Sequence, residues 1–130
     1  MVKIIQPKNL ATPQGNYSQV IEATGGKLVF IAGQTSVDAQ GTLVGKGDIE
    51  AQTLQVMENL KIGVEAAGGT LRDIVKINIF TTDIPSFRQK TADIRNEYFP
   101  SDYPTSTLVE VSKLADPDLL VEIEAIAVIG

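Results

Sequence analysis

The sequence predicts an α+β fold in which two helices pack on one face of a mixed β-sheet. Three observations carry this. Apolar residues recur at helical spacing over a long segment, Asp48 to Ala67, and again over Phe87 to Tyr98. Five runs rich in β-branched or alternating residues surround them, at Tyr17 to Ala23, Leu28 to Ala32, Ile74 to Thr81, Thr105 to Val111 and Leu119 to Ile129. The resulting order, β-β-α-β-α-β-β, places both helices on one side of the sheet and leaves the other side needing cover, for which oligomerisation is the natural answer.

Each element has a local reason. The N-terminal stretch through Pro7 reads as a lead-in, and Thr12-Pro13-Gln14-Gly15-Asn16 as a turn before the first strand. Gly25-Gly26 reads as a hairpin turn joining that strand to Leu28 to Ala32. Glycines at 41, 45 and 47 punctuate a loop around a short strand at Thr42 to Val44. Asp48 is placed to cap the long helix, Ile49, Val56, Leu60, Val64 and Ala67 form its buried stripe, and Gly68-Gly69 ends it. After Ile74 to Thr81, Asp83-Ile84-Pro85 closes the strand and Ser86 reads as the cap of the second helix, whose inner face is Phe87, Thr91, Ile94 and Tyr98. Prolines 100 and 104 then stop it.

Composition narrows the chemistry. The 130 residues, 43% hydrophobic and 21% charged, suit one globular domain spanning 1–130. No run approaches the roughly 20 apolar residues that span a bilayer, and no leader is evident, so the expected location is the cytoplasm without a membrane partner. A net charge of -5 argues against nucleic acid as a partner. The chain has no Cys and no His, which excludes thiolate and imidazole catalysis and ordinary zinc sites. No acidic loop suggests another metal, and no GxGxxG or GxxxxGK[ST] spacing suggests a nucleotide.

Blocks along the chain resemble the YjgF/RidA superfamily, also labelled endoribonuclease L-PSP: Gly15-Asn16-Tyr17-Ser18-Gln19, Ala32-Gly33-Gln34, Glu65-Ala66-Ala67-Gly68-Gly69, Tyr103-Pro104-Thr105-Ser106-Thr107-Leu108-Val109-Glu110-Val111, and Leu120 to Ala127. The resemblance implies a chorismate-mutase-like fold assembled as a homotrimer around a barrel-like centre, with a small-molecule cleft at each subunit interface. It implies hydrolysis of imine and enamine acids, such as 2-iminobutanoate and 2-iminopropanoate, with no metal or organic cofactor. The family's deaminases carry an Arg in a Pro-x-Arg-Ser motif that holds the substrate carboxylate. Here Ser106 stands at that position, followed by Thr107, and a hydroxyl offers one donor in place of a charged fork.

Carried over by the resemblance, Glu122 orients the attacking water, and Tyr17, Ala32, Gly33, Ser106 and Thr107 line the cleft. Glu122 and Glu124, two apart on a strand, share a face about 7 Å apart; Glu124 is read as structural. Arg88 and Arg95, seven apart on the second helix, are candidate substitute cations for the absent Arg, set against the plainer reading of a solvated face. The residues leave three readings open: a hydrolase acting on an imine, enamine or related electrophile, a non-catalytic metabolite-binding trimer, and an endoribonuclease or translation inhibitor, the last opposed by the acidic composition and absent His.

Overall fold

A computed structural model describes residues 1–130. Its strands are β1 (Val2–Ile5), β2 (Val20–Ala23), β3 (Lys27–Gln34), β4 (Ile74–Thr81), β5 (Thr105–Glu110) and β6 (Val121–Ile129), and its helices are α1 (Ile49–Ala66) and α2 (Ile84–Tyr98). Four strands form the main sheet in the order β3-β6-β4-β5, antiparallel except for the parallel pair β4-β5. Parallel neighbours need a long connection, and α2 supplies it. The α+β class expected from the sequence is the one observed.

The core lies between this sheet and the helices. Val121, Ile123, Ala125 and Ala127 alternate inward from β6 and meet Ile77 and Ile79 of β4 beneath Val56, Met57, Leu60 and Val64 of α1. Each Val, Ile, Leu or Met among them contributes roughly 1.5–3 kcal/mol on burial, so the period-2 and period-3.6 patterns fix which faces meet. The intervening residues, Glu122, Glu124 and Ile126, project to the opposite face. There β3 leaves Leu28 and Phe30 59% and 71% exposed, with Phe30 in register with Ile126. This open face carries no helix.

Three local expectations are corrected. The strand leading to Gly25-Gly26 does not pair with β3: β2 pairs antiparallel with β1, in the segment read as lead-in, as a separate two-stranded ribbon. The reason is anchoring. The Ser18 N–H donates to the Pro104 carbonyl at 3.0 Å and its hydroxyl to the Tyr103 carbonyl at 2.5 Å, which ties the ribbon's entry to the start of β5. Gly25 and Gly26, at φ 70° and 81°, then turn the chain into β3 at the opposite edge, so the ribbon crosses the end of the sheet. Val2–Ile5, itself β-prone, takes the free ladder.

The second helix is capped by Asp83, whose carboxylate accepts from the Ser86 N–H at 3.1 Å; Ser86 lies inside the first turn. Pro85 needs no hydrogen-bond partner there, so Asp-Ile-Pro opens the helix instead of closing the strand. Thr42–Val44 is reduced to a single bridge between Val37 and Leu43. Asp48 caps α1 as expected, accepting from the Ala51 N–H at 3.1 Å.

Candidate functional site

The residues singled out in the sequence fall on two sides of the sheet. On the open side, the β3–β6 register slips between Ile31 and Gln34, a bulge that holds Ala32 and Gly33. Glu122 lies over it. A side-chain carbon built on Gly33 would stand 2.0 Å from Glu122 Oε2, so the carboxylate occupies the space that a side chain at position 33 would take. Ala32 beside it is exposed, and its carbonyl accepts from Gln34 Nε2 at 3.1 Å. Glu122 is half-buried, whereas Glu124 is exposed and accepts from Asn78 Nδ2 at 3.1 Å. Thr107 is also on this face but belongs to β5, opposite Asn78.

On the helix side, Ser106 is in register with buried Ile77 and points the other way from Thr107. It opens onto a pocket of about 30 Å³ with an apolar floor of Met57, Ile77 and Ile79 and a polar rim of Asn16, Arg95 and Ser106. The Asn16 side-chain amide donates to Asn96 Oδ1, joining the segment before β2 to α2. Tyr17, next in the chain, is half-buried against Gly15 and does not line this pocket.

The two candidate cations separate here. Arg88 is exposed and outside the pocket. Arg95 is inside it, with its guanidinium carbon 4.9 Å from the centre of the Phe87 ring. Its Nε donates to Thr91 Oγ1 at 3.2 Å, and Nη2 to the Arg88 carbonyl at 3.4 Å. No carboxylate pairs with it; the ion pairs of the chain are Lys46–Asp118 and Arg72–Asp102. Burial, and then the charge of Arg88, lowers the Arg95 pKa from its ordinary value.

Beyond the site residues named from the sequence, two others position the site: Gln52, and Tyr98, which the sequence placed only on the inner face of the second helix. Buried Gln52 donates from Nε2 to the carbonyls of Gly45 and Asp118, at 3.1 and 2.8 Å, and accepts the Leu120 N–H at 2.8 Å; it fixes the chain entering β6 two residues before Glu122. Tyr98 donates to Glu58 Oε2 at 2.6 Å and ties α2 to α1. A polar residue within the apolar stripe of α1 was the one sequence signal for Gln52.

One chain therefore presents a carboxylate on one face and an unpaired guanidinium on the other, within a fold of known kind. The chain belongs to the endoribonuclease L-PSP family, whose model matches residues 8–129. It is 43% identical to a RutC family protein of Pyrococcus horikoshii over 98% of both chains, and 38% identical to one of Synechocystis over 98% of this chain and 97% of that one. Among solved structures it is similar to YyfB, a protein of unknown function of the conserved Rid family from Yersinia pestis, at TM-score 0.88 and 33% identity over 98% of both chains. It is also similar to RidA from an Antarctic Psychrobacter, at TM-score 0.72 and 34% identity over 98% of this chain and 99% of that one. No helix is long and apolar enough to cross a membrane.

Proposed function

We propose that this chain, as one domain over 1–130, is a cofactor-independent hydrolase of small imine or enamine metabolites, of 2-iminobutanoate or 2-iminopropanoate type or a related electrophile. It works in the cytoplasm as a homotrimer with its clefts between copies. The observation that carries the reading is the seating of the Glu122 carboxylate on Gly33, at a bulge on an uncovered face. A carboxylate held by fit, with no side-chain hydrogen bond of its own, has its lone pairs available for a water molecule.

The reaction asks little more. Water adds its oxygen to the carbon of the protonated C=N bond while Glu122 accepts one of its protons; that proton passes to nitrogen, and as the C–N bond breaks the new hydroxyl gives its proton to Glu122, so that ammonia and a carbonyl compound leave. Nothing is oxidised or reduced. A protonated imine is already electrophilic, so orientation supplies most of the acceleration. Because Glu122 and Ser106 face opposite sides of one sheet, a ligand touching both lies between two copies. This supports an interfacial cleft, with Tyr17, Ala32, Gly33, Ser106 and Thr107 along its walls.

The test is ammonia release from 2-iminopropanoate and 2-iminobutanoate generated in place by an amino-acid oxidase. Release that disappears in Glu122→Gln is the expected result; equal release from the variant overturns the assignment. A second reading, a metabolite-binding trimer without turnover, is favoured by the neutral Ser106 at the motif position. It predicts thermal stabilisation by the ligand with no ammonia from either protein. Endoribonuclease activity finds no His base and a net charge of -5.

A further inference from the structure

We infer that Arg95, presented by α2, is an anion anchor that takes the carboxylate group of a small 2-keto or 2-imino acid in the pocket it shares with Ser106 and Asn16. The inference rests on the proposed interfacial cleft for the rest of the ligand, but the anchor itself is read from one chain.

Four observations converge. Arg95 is half-buried and without a counter-ion, a costly state for a cation unless an anion relieves it. Its plane is fixed by the Phe87 ring below and by Thr91 and the Arg88 carbonyl at its edge. Those contacts use two of its five N–H donors and leave the others for a planar, two-oxygen acceptor. The pocket adds neutral donors, the Ser106 hydroxyl and the second N–H of the Asn16 amide, whose other N–H goes to Asn96, and no acidic side chain lines it. Finally, the pocket, about 30 Å³, has room for a small polar group beside Arg95. The lowered pKa of Arg95 has burial and the Arg88 charge as its causes, and a bound anion opposes both.

The anchor is tested by calorimetric titration of the full chain, in its native assembly, with pyruvate and with its neutral amide, pyruvamide. Wild type is expected to bind pyruvate about tenfold or more tighter than pyruvamide, and Arg95→Gln to abolish the preference, since a charge-assisted contact is worth about that factor. Arg88→Ala changes pyruvate binding by less than about twofold. In the Arg95→Gln background, Ser106→Arg extends a guanidinium into the same pocket from β5 and restores the preference. Should Arg95→Gln fail to fold, Ser106→Asp keeps the Phe87 stack, neutralises the anchor from within and is expected to lose the preference equally. A wild type without preference, or a preference retained in Arg95→Gln or Ser106→Asp, overturns the inference. The hydrolase reading fails separately: Arg95-dependent pyruvate binding with no ammonia release leaves the anchor and removes the enzyme.

Discussion

The two halves of the candidate site are built by opposite means. Glu122 stands on an uncovered sheet face, placed by its fit against Gly33. Arg95 is half-buried on a helix and held by a ring, a hydroxyl and a carbonyl. The difference matches the tasks proposed for them. A carboxylate that handles water needs free lone pairs and an accessible position, whereas a group that orients a ligand through two parallel hydrogen bonds needs a fixed plane. A stronger cage around Glu122 would compete with the water.

The sharpest way to separate the halves is kinetic. Glu122→Gln is expected to lower kcat for ammonia release by about 100-fold or more while leaving KM nearly unchanged; steady-state assays with a varied imine pool measure both. A change confined to KM would assign Glu122 to binding and dissolve the contrast.

Next in size is the support beneath Glu122. Gln52→Leu leaves the Asp118 carbonyl and the Leu120 N–H unpaired, while the Gly45 carbonyl keeps the Asp48 N–H, and urea unfolding is expected to show a loss of about 2–3 kcal/mol. Gly33→Ala pushes against the mobile end of Glu122 and not against backbone. Activity is expected to fall by about tenfold, the effect of misplacing a catalytic group, with the thermal midpoint little changed. An unaltered rate in a folded Gly33→Ala protein would show that the seat is unimportant.

On the Arg95 side the smallest effect is pH-dependent. The Tyr98 pKa is raised to about 12 by burial, by its hydrogen bond to Glu58 and by the charges of Glu58 and Glu97. The folded state therefore retains the phenol proton longer than the unfolded chain, whose tyrosines ionise near 10. Its contribution is fully present below about pH 10 and is lost as pH rises through about 12. The unfolding free energy measured across that window is expected to fall less steeply with pH in Tyr98→Phe than in wild type.

Much of this was legible in the chain itself. The helical stripe of Ile49, Val56, Leu60 and Val64 and the alternation through β6 settled which faces meet, because burial enforces a period. The shared face of Glu122 and Glu124 followed from the same rule. What was not legible depended on partners distant in sequence. Arg88 and Arg95 share a face of an ideal helix, and only the packing of α2 over β5 puts one in the pocket and the other outside. Asp83 and Ser86 are both good cap residues, and Pro85 decides between them by suiting the first turn. The β1–β2 ribbon depends on Ser18 meeting Tyr103 and Pro104, contacts more than 80 residues apart that no local pattern announces.

The central claim, that one site draws Glu122 from one copy and Arg95 from another, is tested most directly by mixing two variants. Glu122→Gln and Arg95→Gln chains are each expected to be deficient in kcat/KM for ammonia release. Unfolded together, refolded and assayed at low substrate, an equal mixture is expected to recover about a quarter of wild-type kcat/KM, because each shared site has that chance of receiving both intact residues in a symmetric assembly. A mixture no more active than its parents, beside an active wild type refolded in parallel, would contradict the shared site.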